Sequence, residues 1–357
     1  MQVVNVKELR AALDIASAGV AAKEIIEQSG CVVLDQNRII TYNDEVAVQV
    51  PFESGVTAVV PAEPFMALVK NCNQETVELS LSDGRLLFKA KRAPSKIPIT
   101  QEVLLPFDKK IKPPEKFVKL QDAEEFSKAL AFVDFTVSTD TQFMEYTCVH
   151  VGSDSKGTFC ESTDRYRVTR KYFSTHKHTL NILIPAVAIK ILKNNTVLEI
   201  GESNGWLYFK LENDVLFACF TVEATFPDFG APLKEAMGEC VATIELPKKI
   251  STMLDRASIF SKAAETNDEQ VKITATAGRF TIRAEGKHGE HEEWCKCEYD
   301  GPDLDIGLHP QHLKAILSIA TTLNIYEADI KVSGKGFFHT VRRLDATEGP
   351  GGEEQDS

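Results

Sequence analysis

Val59-Val60-Pro61-Ala62-Glu63-Pro64-Phe65-Met66-Ala67-Leu68 decides how the rest of this chain is read, because its pattern returns twice. An apolar run ends at Pro61, and Phe65 and Leu68 follow it on one helical face. Ile182 to Ile184 ends at Pro185 and leads into Ile189 and Leu192; Ile306 to Leu308 ends at His309 and leads into Leu313 and Ile316. The step between copies is 124 residues both times. A short apolar run followed by apolar residues three and four apart predicts a strand, then a helix packed on one side.

Working outward, each copy opens on an i, i+4 apolar pair suited to a helix stripe: Leu9 and Leu13, Phe126 and Leu130, Ile250 and Leu254. From these to the anchor is 52, 59 and 59 residues, so the first copy is seven shorter, most simply in a loop. Downstream, Asp83-Gly84, Asn204-Gly205 and Lys335-Gly336 are tight-turn signals ahead of Leu86 to Phe88, Trp206 to Phe209, and Phe337 with Phe338. The predicted unit is helix, strands, helix, strands, an α+β class repeated in three tandem domains. A period this long is too large for a solenoid, whose repeats run about 20 to 50 residues.

Composition agrees. At 357 residues the chain has room for three domains able to bury their own cores. Pro106 to Lys116, rich in Pro and charge, reads as an exposed linker, and Phe226 to about Glu239 plays the same part later. The expected domains are 1–118, 119–242 and 243–344. Residues 345–357 carry acidic groups and no apolar periodicity, and are expected to be a disordered acidic tail. No apolar stretch of about 18 residues and no secretory signal is visible, so a soluble, cytoplasmic protein without a membrane partner is expected. The eight cysteines then read as reduced and buried.

Two chemical readings compete with simple binding. His288, His291, Cys295 and Cys297 have the composition of a zinc site. Cys295, Cys297 and Tyr299 alternate with Lys296 and Glu298, however, which is the period of a half-buried strand, so no metal is expected. No P-loop, Gly-x-Gly-x-x-Gly or Gly-x-Ser-x-Gly occurs, and no acidic set recurs in all three copies. Asp164 reads as a turn cap. No catalytic residue and no cofactor are assigned, and a non-enzymatic protein is expected.

Several segments resemble one family. Thr163-Asp164-Arg165-Tyr166-Arg167-Val168 is similar to T-D-G-H-R-L, Phe226-Pro227-Asp228-Phe229 to F-P-D-Y, and Asp255 to Ser261 to R-A-A-I-L-S. Ile306-Gly307-Leu308 with His312 to Leu317 resembles an I-G-F strand and its helix. In this order, across a triplicated chain, they resemble the bacterial and bacteriophage DNA polymerase III beta sliding clamp, a processivity factor in DNA replication. The resemblance covers residues 1 to about 344.

The resemblance implies the DNA-clamp domain three times over and a head-to-tail homodimer ring around double-stranded DNA, bound without sequence preference. It also implies a surface that takes short peptide motifs of the DNA polymerase and clamp loader. Six candidate inner helices carry 12 basic and 10 acidic residues in a chain of net charge −12. Their basic excess names Lys190, Lys193, Lys248, Lys249, Arg256, Lys262 and Lys314 as DNA-facing. Two further clusters, Lys89 to Arg92 with Lys96, and Arg165 with Arg167, Arg170 and Lys171, read as strand-edge charge. The peptide pocket would use Thr163, Arg165, Tyr166, Arg167 and Val168 on one wall and Thr340, Val341, Arg342, Arg343 and Leu344 on the other. Arg165 and Tyr166 stand where Gly and His are usual, and Arg342 where the family is apolar. Ring closure would place Ile259 and Phe260 against Leu104, Leu105 and Phe107. A clamp-fold peptide-binding regulator or decoy that does not encircle DNA is the alternative.

Overall fold

The computed structural model describes residues 2–91, 93–100, 102–261 and 269–344, without the side chains of Ala231 and Pro232. Lys262 and the acidic tail after Leu344 therefore lie outside the described residues.

One order of elements occurs three times. The first repeat runs β1 (Gln2–Asn5), α1 (Val6–Ala16), β2 (Cys31–Asp35), β3 (Arg38–Tyr42), β4 (Val46–Pro51), β5 (Thr57–Pro61), α2 (Ala62–Lys70), β6 (Thr76–Ser82), β7 (Arg85–Ala90) and β8 (Ala93–Pro98), with a short α3 (Phe107–Lys110) after it. The second runs β9 (Val118–Lys119), α4 (Ala123–Val133), β10 (Cys148–Asp154), β11 (Gly157–Thr163), β12 (Arg167–Ser174), β13 (Ile182–Pro185), α5 (Ala186–Leu192), β14 (Val197–Ser203), β15 (Trp206–Leu211) and β16 (Leu216–Phe220), followed by α6 (Ala231–Met237). The third runs β17 (Ala242–Glu245), α7 (Ile250–Ala257), β18 (Val271–Thr276), β19 (Arg279–Gly286), β20 (Gly289–Lys296), β21 (Leu304–Leu308), α8 (Pro310–Leu317), β22 (Thr322–Ile325), β23 (Asp329–Gly334) and β24 (Phe337–Arg342). The anchor is β5–α2, β13–α5 and β21–α8. One turn falls out of step with the expected repeat: Lys335-Gly336 joins β23 to β24, one hairpin later than Asp83-Gly84 and Asn204-Gly205. The third copy's β22–β23 connection, Tyr326 to Ala328, contains no glycine, so the turn signal falls at the next hairpin.

Residue contacts divide the chain into two compact units: 1–134 with 143–160 and 173–224, and 135–142 with 161–172 and residues from 225 onward. In the first unit an antiparallel sheet has the order β5-β2-β3-β4-β16-β15-β14-β9, joined at its middle by β4 against β16. A second sheet, β1-β6-β7-β8, ends on β8. The segment after β8 is not the exposed linker its prolines and charges suggested. Leu105, Phe107 and Ile111 are buried with Tyr42, Trp206 and Tyr208, residues of both repeats that meet in this sheet. Arg38 donates to both carboxylate oxygens of Asp108 (3.2 and 2.9 Å), and the Lys112 N–H donates to the Tyr208 hydroxyl (3.1 Å). The segment is a strap, and its apolar spacing is what the Pro count concealed.

Helices pair on the sheets. In α1, Arg10, next to the stripe residue Leu9, donates to the carbonyls of Val69 (3.2 Å) and Cys72 (3.0 Å) at the end of α2. In α4, Ser127, next to Phe126, donates to the Asn195 carbonyl just past α5 (2.7 Å). The same repeat position thus binds carbonyls at or just past the end of the second helix.

The second unit holds the four-stranded sheet β20-β19-β18-β21 and the run β12-β24-β23-β22-β17. Met253, Leu254, Phe280, Ile282, Leu313 and Ile316 fill its apolar core. Beside this lies a buried polar chain. Ser162 and Thr136 hydroxyls meet at 2.5 Å, Thr136 donates to Thr169 (2.9 Å), and Thr169 meets His339 Nδ1 (2.8 Å), leaving His339 Nε2 buried and unbonded. Burial first, then the neighbouring Arg167 guanidinium and His312, push His339 down to about 3. Burial, Arg167 and His309 push His312 down to about 4. Among the described residues the cysteines are all free; Cys72, Cys148, Cys160 and Cys219 are buried, whereas Cys240 is exposed.

Phe107→Ala removes a buried ring from the strap and is expected to lower unfolding stability in urea by about 3 kcal/mol; a surface linker would show a change within about 0.5 kcal/mol. His339 and His312 bind protons more weakly folded than unfolded, so stability is full above the ordinary histidine value of 6.5 and falls as pH drops toward 4. His339→Asn, which keeps an acceptor for Thr169 but does not titrate, is expected to flatten that slope in urea titrations run from pH 7 to 4. An unchanged slope would mean that His339 does not govern the acid sensitivity.

Candidate nucleic-acid and peptide interfaces

The basic helix residues divide by what they already bind. Lys190 on α5 and Lys248 with Lys249 at the start of α7 are exposed, with no carboxylate partner among the described residues. Lys193 pairs with Asp134 (2.6 Å), Lys314 with Asp255 (2.7 Å), and Arg256 takes Glu293 through two bonds of 2.8 and 2.6 Å. The Arg256 guanidinium holds Glu293 below the usual carboxylate range. These three charges are half neutralised within the chain, and such surface pairs are weak enough to be exchanged for a phosphate. Lys190 and Lys193 belong to the first unit, and Lys248, Lys249, Arg256 and Lys314 to the second.

The two further charge clusters are each partly paired within the chain. Arg170 is buried against Glu161 (2.7 Å) and lies over the Phe338 ring (5.6 Å), and Lys89 pairs with Glu78 (2.9 Å). Lys96 is exposed on β8.

The turn before β12 is built by Asp164. Its Oδ1 accepts the N–H groups of Tyr166 (3.1 Å) and Arg167 (2.8 Å), and its Oδ2 takes Arg167 Nε (2.8 Å) and Nη2 (2.5 Å). Thr163 Oγ1 donates to the Arg167 carbonyl (2.7 Å) and accepts the Arg165 N–H (3.0 Å). Arg165 sits at φ +76°, the left-handed region that glycine enters most easily, at the position where the T-D-G-H-R-L pattern has its glycine. The side-chain bonds around it hold the turn without that glycine.

Both expected pocket segments come together in the second unit, though not as facing walls. They are hydrogen-bonded neighbours: Arg167 opposes Val341, and Val168 opposes Thr340. Val168, Thr163, Thr340 and Val341 are buried, so they support the surface and do not form it. Arg343 is committed to the carbonyls of Tyr326, Glu327 and Asp305 (3.3, 3.1 and 3.0 Å). Tyr166 (64% exposed) and Leu344 (44%) offer apolar surface, with Arg165 and Arg342 exposed beside them.

The expected ring interface is altered more. Leu105 and Phe107 are core residues of the first unit, with no side-chain area left for a partner. Phe260 stacks on His291 of its own repeat (5.9 Å, 7°). Only Leu104 and Ile259 remain exposed. His291 and Cys295 lie on β20, and among the described residues no group of three or more His, Cys, Asp or Glu is placed to hold a metal. Strand β8 exposes Pro94, Lys96 and Pro98, and strand β20 exposes Glu290, Glu292 and Trp294.

No family model matches the sequence, and no curated protein matches it. Solved structures do. The DNA polymerase sliding clamp from Bacillus subtilis matches with a TM-score of 0.79 at 16% identity, over 96% of this chain and 98% of that one. DNA polymerase III beta subunit from Thermotoga maritima gives 0.80 at 19%, and the beta chain from Streptococcus pneumoniae 0.81 at 16%, each over 96% and 98%. At these identities the likeness is one of fold. The chain has the sliding-clamp fold, built from antiparallel sheets with few helices.

Proposed function

We propose that this chain is a non-catalytic sliding clamp. Two copies close head to tail around duplex DNA, and the surface at Tyr166 and Leu344 tethers the DNA polymerase, the clamp loader and other partners through short peptides. The observation that carries the reading is a sliding-clamp fold over 96% of the chain. Residues 1–118, 119–242 and 243–344 act as its three domains. Its physical requirements are modest. A clamp must stay on DNA without gripping it, so retention comes from topology and the phosphate attraction only needs to be weak. A few exposed lysines on helices, with further cations held in exchangeable pairs, suit that requirement. No helix among the described residues is long and apolar enough to cross a membrane.

Loaded by its cognate clamp loader on nicked circular DNA, the protein is expected to remain through a high-salt wash and to leave when the circle is linearised. Loss from both forms alike would contradict encirclement. Lys248→Glu with Lys249→Glu is expected to reduce the slope of log K against log salt by about 0.9 for each phosphate no longer neutralised, measured on the unloaded protein with a short duplex. An unchanged slope would place these lysines away from DNA.

For the peptide surface, Tyr166→Ala and Leu344→Ala are each expected to weaken a polymerase-derived clamp-binding peptide about tenfold or more in calorimetry, because they remove the exposed apolar area. Equal affinity for both variants and the parent would move the peptide site elsewhere.

A further inference from the structure

The described chain ends at a fixed point of the fold. The Arg343 guanidinium donates to the carbonyls of Tyr326, Glu327 and Asp305, and its backbone N–H donates to the Ala328 carbonyl (2.9 Å). The Leu344 N–H donates to the Gly307 carbonyl (3.0 Å). Two successive residues are thus tied to β21 and to the β22–β23 connection. Just before them, the Arg342 N–H donates to the Tyr166 carbonyl (2.9 Å), so whatever follows Leu344 starts beside Tyr166.

Four arginines surround that point, and they divide by what they bind. Arg167 is held by Asp164 and by the Phe135 carbonyl (3.2 Å), and Arg343 by the three carbonyls named above. Arg165 and Arg342 are exposed on either side of Tyr166: one precedes it in the chain, and the other bonds its carbonyl. Arg342 stands opposite Asp329 on β23. Two outward guanidinium groups flanking an exposed aromatic ring suit carboxylates, which they take through charge-assisted hydrogen bonds.

The segment that follows is their chemical complement. Residues 345–357 carry Asp345, Glu348, Glu353, Glu354 and Asp356, and no Lys, Arg or His. We propose that this acidic segment is a built-in competitor for the peptide surface: its carboxylates engage Arg165 and Arg342 and cover Tyr166, so that a partner peptide binds by displacing it. It rests on the reading of the Tyr166 and Leu344 surface as the peptide site. In a chain of net charge −12 most of the exterior repels such a segment, whereas the two exposed arginines at its root attract it.

Reach and concentration both favour the contact. A segment of this length spans at most about 45 Å, and Glu348 lies within about 15 Å of Leu344. Gly349-Pro350-Gly351-Gly352 is a turn signal, and it separates Glu348 from Glu353 and Glu354, so both sets of carboxylates can address the same two arginines. Covalent attachment supplies an effective concentration on the order of millimolar. Exposed ion pairs are individually weak, so the segment yields to a peptide that also buries the apolar area of Tyr166 and Leu344. The competition is sensitive to salt, because the Debye length falls from about 10 Å at 0.1 M to about 3 Å at 1 M.

The test compares the full chain with a full-length amide variant carrying Asp345→Asn, Glu348→Gln, Glu353→Gln, Glu354→Gln and Asp356→Asn. A polymerase-derived clamp-binding peptide is titrated into each by calorimetry across a salt series, and Tyr166 is probed without peptide by hydroxyl-radical footprinting. The amide variant is expected to bind the peptide about fivefold tighter at low salt, with the gain lost near 1 M, and to expose Tyr166 more to the radical. A chain ending at Leu344 is expected to behave as the amide variant does. Equal affinities at low salt would overturn the competition while leaving the peptide surface standing. A peptide that binds no form would overturn the peptide-surface reading itself, and equal footprinting of Tyr166 would even then overturn the contact.

Discussion

A β-strand at the edge of a sheet presents unpaired N–H and C=O groups, and this chain is organised by how those edges are matched. At each junction between repeats the fourth strand of one meets the last strand of the next. Inside the chain, β4 takes β16 and β12 takes β24, so covalent succession supplies the partner at very high effective concentration. Such junctions are set once, at folding, and are lined by buried residues such as Ala47, Ala218, Val168 and Thr340. β8, the last strand of the first repeat, and β20, the fourth of the third, end their sheets instead, and their residues differ. Pro94, Lys96 and Pro98 stand on one, and Glu290, Glu292 and Glu293 on the other.

Helix placement follows from the same repetition. Each repeat sets two short helices side by side on its sheets, and the position after the first stripe residue, Arg10 or Ser127, holds the end of the second helix. The third repeat replaces that bond with Asp255 to Lys314 across α7 and α8. Cations on these helices are therefore divided between structural work and display. Lys190, Lys248 and Lys249 are on display, whereas Lys193, Arg256 and Lys314 hold partners of their own.

Period and spacing made the fold legible. The anchor at Pro61, Pro185 and His309 located a strand and a helix three times, because an apolar run and a helical stripe are local signals. What required the structure was anything decided by distant partners. Pro106 to Lys116 looked like solvent-exposed linker because Pro and Lys dominate it, yet Leu105, Phe107 and Ile111 find an apolar surface that neighbouring repeats make only together. The pocket segments were recognised as belonging together, but their side-by-side pairing buries Val168 and Val341 and leaves Tyr166 and Leu344 outward, an alternation that only register reveals. Polar and proline residues on β8 and β20 are the signs of a sheet edge protected from indiscriminate pairing.

Amide hydrogen exchange, followed by mass spectrometry at protein concentrations above and below dimer formation, is the sharpest test of edge matching. The concentrated protein should protect peptides covering β8 and β20 together, with the β4, β16 and β24 segments equally protected at both concentrations. Protection of β20 and β8 that does not change with concentration, or protection gained at a different strand edge, would contradict it.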